Sequence, residues 1–135
     1  MERKFAVVEK KFDYKGRECI IVFTLHGVRN GYVSVKENKD YYDYDIDCHG
    51  GLTFGGELPC DYEPREKYYI GFDCNHYCDG QDYDLALKYN LITQDIYDFY
   101  ANYDLYRNQN AVCSLEYVEE QCKSIVDQLE KQGEL

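Results

Sequence analysis

The sequence predicts an α+β fold: a mixed or antiparallel sheet of about five strands, with C-terminal helices packed on one face of the sheet. Apolar, β-branched runs with strand-like alternation occupy the first 80 residues. Near the C-terminus, apolar residues recur at helical spacing instead. A chain of 135 residues is long enough for one buried core. We therefore expect a single domain over 1–135, β-rich over 1–80 and mainly helical over 81–135.

The expected strands begin with a β-hairpin. Segments 5–12 and 18–25 are apolar and β-branched, and Gly16 lies in the short polar segment between them, where a turn is needed. Shorter runs rich in aromatic or β-branched residues predict three further strands, at 31–35, 52–54 and 68–72.

Two helices are expected in the C-terminal part. Ser114 is placed to cap the last helix at its start, and Gly133 follows its end. An earlier helix is expected from about 93 to 103, with Thr93 as its cap. The inner faces are predicted to comprise Leu115, Val118, Cys122, Ile125 and Leu129 in the last helix, and Ile96, Tyr97 and Tyr100 in the earlier one.

Charge and hydropathy narrow the choice of partner and compartment. The chain has 26 acidic and 15 basic residues, which give a net charge of −11. Such a charge disfavours direct binding to nucleic acid or to anionic lipid surfaces, and favours a protein partner with a basic groove. No apolar run is long enough for a membrane span, and the first residues do not resemble a signal peptide. We expect a cytoplasmic protein.

Seven cysteines are an odd number for a disulfide framework, so reduced thiols are expected. Cys19 opens an apolar strand and Cys122 falls on the apolar face of the last helix, so both are expected to fill core.

Ligand-type side chains concentrate in two short segments, 48–51 and 71–79, and these predict a metal site. Asp73, His76 and Asp79 are spaced by three, so a helical turn would place them on one side, with His49 arriving from the neighbouring glycine loop. Cys74 would point to the opposite strand face from Asp73, and it is the expected substitute ligand. This mixture of ligands suits zinc, manganese or iron, of which zinc is the commonest tetrahedral ion.

Two alternatives to this ligand set remain open. One is a sulfur-rich zinc site, in which Cys48 or His49 joins Cys74, His76 and Cys78. The other has no metal: His49 caps a turn, the two aspartates accept backbone hydrogen bonds, and the cysteines fill core.

Several segments resemble a family of small proteins carried by phages and prophages. The resemblance spans about residues 18–80 and is most specific at His49-Gly50-Gly51-Leu52-Thr53 and at Gly71-Phe72-Asp73-Cys74-Asn75-His76. The family often has tryptophan where this chain has Tyr68 and Tyr69, and a small residue near Cys78, which argues against Cys78 as a ligand. The C-terminal helices lie outside the resemblance.

The resemblance implies a function in the conflict between phage and host. Many small acidic phage proteins inhibit host defences, and anti-CRISPR proteins block Cas9, whose nucleic acid lies in positively charged channels. The chain is therefore expected to be a metal-binding inhibitor of a host defence nuclease such as Cas9, acting in the host cytoplasm. The alternative is a zinc- or manganese-dependent hydrolase of a nucleotide or nucleic acid, with Glu57 or Asp79 accepting the proton of bound water. A phage protein with a purely structural metal ranks third.

Overall fold

A computed structural model describes residues 5–37, 39–58, 67–76, 78–103 and 111–133. In this part of the chain, five strands form one open sheet with the order β1-β2-β3-β5-β4, and all neighbouring strands are antiparallel. The elements are β1 (Ala6–Tyr14), β2 (Arg17–Thr24), β3 (Arg29–Val35), β4 (Phe54–Glu57), β5 (Tyr68–Asp73), α1 (Tyr83–Lys88), α2 (Gln94–Tyr103) and α3 (Leu115–Lys131). The α+β prediction is confirmed, in its antiparallel form. The strand expected at 52–54 begins later, at Phe54.

The predicted hairpin joins β1 and β2 through Lys15 and Gly16, both of which have positive φ, at 51° and 83°. Two consecutive left-handed residues are typical of the hairpin turn whose twist matches that of the strands. Farther along, Val8 and Lys10 pair with consecutive residues of β2, so Glu9 forms a bulge. The carboxylate of Glu9 accepts hydrogen bonds from Arg29 Nε at 2.6 Å and from the Tyr89 hydroxyl at 2.7 Å.

Helix α3 packs on the face of the sheet that carries Ile21 and Val33. Of its predicted inner face, Val118, Cys122, Ile125 and Leu129 are buried and Leu115 is partly buried against the same cluster. Val126 is buried as well. Gly31 permits the close approach, because a Cβ there would lie 2.9 Å from Cys122 Sγ and 2.7 Å from the Phe72 ring. The expectation that Cys19 and Cys122 fill core is confirmed, as both are fully buried.

Helices α1 and α2 pack on the same side, around Phe23, which lies two residues beyond Ile21 on β2. The predicted α2 is confirmed from Gln94 to Tyr103, with its capping bond from Ile96 N to Thr93 Oγ1 at 3.3 Å. Ser114 likewise caps α3, accepting from Tyr117 N at 3.1 Å. Within the described residues, no helix combines the length and the apolar character needed to cross a bilayer.

The opposite sheet face has a smaller buried cluster. It includes Ile20, Val22, Tyr32 and Tyr69, and the Tyr69 hydroxyl donates to Glu18 Oε1 at 2.6 Å. Tyr41 and Tyr83 are also buried, so several of the chain's 16 tyrosines belong to the core.

Candidate metal centre

The end of β5 directs two neighbouring side chains to opposite sides of the sheet. Cys74 N donates to Arg29 O at 3.0 Å, so strand-like pairing continues one residue beyond Asp73. Cys74 therefore joins the core cluster of Phe72 on the helix side. Asp73 instead accepts from Thr53 Oγ1 and from Asn75 N, both at 3.0 Å. The alternation expected for a continuous strand thus separates these two predicted ligands.

A tight turn after β5 brings His76 and Asp79 together. Asp79 N donates to His76 O at 2.9 Å, and His76 N donates back to Asp79 Oδ2 at 2.9 Å. The imidazole of His76 places Nδ1 3.2 Å from the same carboxylate oxygen. The three-residue spacing of His76 and Asp79 therefore puts them side by side, as the sequence predicts.

His49 reaches this turn from the connection between β3 and β4. Gly51 N donates to Cys48 O at 2.9 Å, and Gly50 adopts the left-handed φ of +68°. Gly50 lies against the imidazole of His76 so closely that a Cβ there would overlap the ring. His49 N also donates to Gln121 Oε1 at 2.9 Å, which fixes the turn to α3.

The carboxylate oxygens of Asp79 and the sulfur of Cys113 converge on one nitrogen of His49. Its Nε2 lies 2.8 Å and 2.9 Å from the two oxygens of Asp79, and 3.6 Å from Cys113 Sγ. Cys113 Sγ is in turn 4.0 Å from Asp79 Oδ1. The other ring nitrogen, Nδ1, lies 2.9 Å from the Tyr117 hydroxyl. The imidazole is therefore held by α3 on one side and faces a thiol and a carboxylate on the other.

Cys74 and Cys113 form a buried thiol pair next to this imidazole. The hydrogen bond between them raises the pKa of Cys74 and lowers the pKa of Cys113. Burial also raises the pKa of Cys74, and it partly opposes the lowering at Cys113. Arg29 Nη1 donates to the backbone oxygen of Cys113 at 2.9 Å, which anchors the segment before α3 to β3.

Asp79 is the ionised group at the centre of the arrangement. Burial alone would raise its pKa, but hydrogen bonds from His49 and from the backbone N–H of His76 outweigh burial and hold the pKa below its usual range. Its side chain is only 6% exposed. A buried carboxylate beside two imidazoles and a thiol is a setting in which a cation is favourable.

Among the described residues, two overlapping groups of side chains could bind a metal ion, and both include His49. In one group His49 is joined by Cys74 and Cys113, and in the other by His76 and Asp79. Four of the five predicted ligands, all except Asp73, therefore fall in these groups. Asp73 Oδ1 lies 3.7 Å from His76 Nε2, on the far side of that ring from Asp79. Cys78 is exposed, and neither it nor Cys48 belongs to either group.

Cys113 is the donor that the sequence did not suggest. It lies 34 residues beyond Asp79 and has no other histidine, cysteine or carboxylate residue within two positions. The available signal was its place one residue before Ser114, the cap of α3. A helix that starts beside the ends of the strands brings its preceding residue to that end of the sheet, but only the packing of α3 on β3 reveals which end.

The surroundings are poor for hydrolysis of a phosphate substrate. Glu57 pairs with Tyr68 at the opposite end of β5 from Cys74, about 20 Å away along the strand. Arg29 is the basic side chain that approaches the thiols, and it is already bound to Glu9 and to the Cys113 backbone. Within the described part of the chain, Asp79 pairs with His49 and His76 and not with the phosphate-binding cations expected of the hydrolase.

Comparison of the chain with protein-family models, with curated proteins and with solved structures gives no significant match. The resemblance to phage-carried proteins stays a prediction.

Proposed function

We propose that this protein binds one zinc ion as a structural cofactor and uses its acidic surface to bind a basic groove on a partner protein. The proposed ligands are Cys74, Cys113, His49 and Asp79, with His76 holding the carboxylate of Asp79 in place. The observation that carries the metal proposal is the convergence of a thiol and a carboxylate on Nε2 of His49.

Convergence distinguishes a metal site from a catalytic relay. In a cysteine-histidine-acid relay, the thiol and the acid contact different nitrogens of the imidazole, so that the acid orients the ring and the free nitrogen takes the proton. Here Cys113 and Asp79 both face Nε2, while Tyr117 is the partner of Nδ1. Such a geometry suits ligands around one cation, with Tyr117 orienting the ring from outside, as partners of metal-bound histidines do.

The separation of the Cys113 sulfur and the His49 nitrogen is close to that in a tetrahedral zinc site. Bonds of about 2.3 Å to sulfur and about 2.0 Å to nitrogen separate a sulfur and a nitrogen ligand by about 3.5 Å. Cys113 Sγ and His49 Nε2 are 3.6 Å apart. The distance from His49 Nε2 to Asp79 Oδ1, at 2.8 Å, is that of a hydrogen bond and must lengthen by about 0.6 Å when an ion enters. Two thiolate ligands favour zinc over manganese or magnesium.

A structural role follows from where the ligands lie along the chain. The four ligands come from the turn before β4, the end of β5, the turn after it and the residue before the cap of α3. Four protein ligands leave no open position for substrate or water, which disfavours the hydrolase. Chelation should lower the melting temperature, because ion binding to the native state alone stabilises it by about 3–4 kcal/mol at a few hundred times Kd.

Elemental analysis of protein purified without chelator tests the metal. We expect about one zinc per chain, lost in His49→Ala, Cys74→Ser and Cys113→Ser. Cys78→Ser and Asp73→Asn are matched controls, because they change the same segment outside both ligand groups. In His76→Ala we expect zinc to remain with an affinity about 10-fold to 100-fold lower. Wild-type protein without metal after zinc reconstitution would refute the proposal.

Cobalt substitution shows which of the two ligand groups binds the ion. Cobalt bound to cysteine gives a strong near-ultraviolet charge-transfer band, whereas cobalt bound only by His49, His76 and Asp79 does not. We expect the band in wild type and its loss in Cys113→Ser. Binding without the band would assign the ion to the carboxylate group.

The proposed partner is a host defence nuclease with a basic groove, of which Cas9 is the candidate implied by the resemblance. The proposal is supported by the net charge of −11 and by the exposed side chains of Asp40, Asp43, Asp45 and Asp47. Such a surface would be steered to a basic groove by long-range attraction that salt screens.

Cas9 cleavage of a target plasmid, with and without this protein, tests the partner. We expect inhibition that weakens with salt, and that weakens further when Asp43, Asp45 and Asp47 are changed together to lysine. Unimpaired cleavage by several orthologous Cas9 enzymes would refute the choice of Cas9. Zinc-dependent turnover in a parallel nucleotide-hydrolysis assay would instead support the hydrolase.

A further inference from the structure

We propose that Cys74 and Cys113 are a site of oxidative modification, at which a peroxide joins them in a disulfide bond. The two sulfur atoms lie within 4.8 Å of each other. A disulfide needs its sulfurs at about 2.05 Å, so a shift of under about 3 Å is sufficient.

The two thiols differ in access, which sets the order of events. Cys74 is 1% exposed, whereas Cys113 is 8% exposed and lies in the short segment before α3. A small oxidant therefore meets Cys113 first, and Cys74, within 4.8 Å, is placed to complete the bond. Cys19 and Cys122 are fully buried in the core, and Cys78 lies on the surface.

The chemistry balances with hydrogen peroxide as the oxidant. The Cys113 thiol and one peroxide molecule give a sulfenic acid and one water as the O–O bond breaks. The Cys74 thiol then attacks the sulfenic sulfur, and its proton leaves with the hydroxyl group as a second water. Two thiols are oxidised by two electrons, and one peroxide is reduced to two waters.

Pairing would also release the metal, and this consequence rests on the proposed function. A disulfide removes two of the four proposed ligands and leaves His49 and Asp79, which hydrogen-bond to each other already. The end of β5 and the segment before α3 would then be joined by a covalent bond instead of by an ion. Peroxide would thereby convert a zinc-bound form into a metal-free, crosslinked form.

Peptide mapping of the full chain tests the pairing without reference to zinc. Protein stripped with EDTA is treated with a small excess of peroxide, alkylated and digested without reductant. Chymotrypsin is suitable, because cleavage after Tyr77 separates Cys74 from Cys78, and cleavage after Tyr117 separates Cys113 from Cys122. We expect one Cys74-to-Cys113 crosslink, about 2 Da lighter than the two thiol peptides together, and its loss after reduction.

Variants sharpen this result. In Cys74→Ser we expect no crosslink and a sulfenic acid on Cys113 that dimedone traps. Cys78→Ser is the matched control and should crosslink like wild type. A Cys78-to-Cys113 crosslink, a crosslink between chains, or unchanged free thiols in the wild type would each overturn the proposal, whether or not the variants fold.

A zinc-loaded sample gives an independent readout. Peroxide should release one zinc per chain to a chromophoric chelator, in parallel with the crosslink. If the stripped protein crosslinks but the purified protein never contains zinc, the modification site stands and the metal proposal fails. If zinc binds and no crosslink forms, the metal proposal stands and the modification site fails.

Discussion

Replacement of Gly50 by alanine tests whether the position of the His76 ring depends on the absence of a side chain at residue 50. A Cβ on Gly50 would lie 2.8 Å from His76 Nδ1 and closer still to Cε1 and Nε2. Real Cβ atoms are not found at such distances, so the imidazole must move. That movement should break the contact of Nδ1 with Asp79 Oδ2, which is 3.2 Å long.

Gly51→Ala is an unusually close control for this change. Gly51 also has a left-handed φ, of +81° compared with +68° at Gly50, but a Cβ there would have no neighbour within 4 Å. Both substitutions therefore incur about 1–2 kcal/mol of backbone strain. Gly50→Ala additionally loses the bond between His76 and Asp79, for which about 1 kcal/mol is a typical contribution. We expect about 2–3 kcal/mol for Gly50→Ala and about 1–2 kcal/mol for Gly51→Ala.

Urea unfolding in EDTA measures both variants without a contribution from metal. A double-mutant cycle with His76→Ala then isolates the steric overlap between a Cβ at residue 50 and the His76 ring. Gly50→Ala should destabilise the protein less once the ring is absent. The same cycle with Gly51→Ala should show no coupling. Equal effects of the two alanines, or additive effects of Gly50→Ala and His76→Ala, would refute this account of the turn.

Two further predictions concern the buried polar pairs of Arg29 with Glu9 and of Tyr69 with Glu18. Arg29→Met leaves Glu9 buried without its guanidinium partner, and it should destabilise the protein by about 3–5 kcal/mol in urea unfolding. Adding Glu9→Gln should restore part of the lost stability. A double variant less stable than Arg29→Met would contradict this prediction. Tyr69→Phe should destabilise by about 1–2 kcal/mol at neutral pH, because Glu18 loses a buried donor. Burial, together with the bond to Glu18, raises the pKa of Tyr69, so its contribution is present below about pH 10 and falls above it. Alkaline unfolding curves should therefore be less steep in Tyr69→Phe, and identical curves would argue against the buried bond.

Much of the fold could be predicted because the local signals agree with the tertiary structure. The face of α3 that carries Val118 and Ile125 follows helical spacing and is buried as expected. The turn at Lys15 and Gly16 follows from the local demand for positive φ. The strand predicted at 52–54 lies at Phe54–Glu57 in the structure, because two of its four residues are glycines, which carry no hydropathy pattern.

The candidate metal centre was only partly predictable, for a related reason. His76 and Asp79 meet through a turn that is local in sequence, and His49 comes from a loop that β4 and β5 place beside that turn. Cys113 arrives through the packing of α3 on β3, a contact that its own sequence neighbourhood does not encode. Asp73 has the right spacing but points to the other side of the sheet, toward Thr53. Spacing along the chain predicts which side chains are neighbours within one turn. It does not predict on which side of the sheet a side chain at the end of the preceding strand lies.

The division of contacts along α3 indicates what an ion would add to a domain that already has a core. From Val118 to Leu129 the helix is held by apolar burial that needs no metal. Its N-terminal end adds polar contacts to the partial burial of Leu115: Arg29 with the Cys113 backbone, Tyr117 with His49, and Gln121 with the turn of His49. Polar contacts of this kind contribute about 1 kcal/mol each, and they open more readily than a packed core. An ion bound by Cys113 and Cys74 would therefore fix the first turn of α3 on the end of β5, and its removal should loosen that junction while the sheet and most of the helix persist.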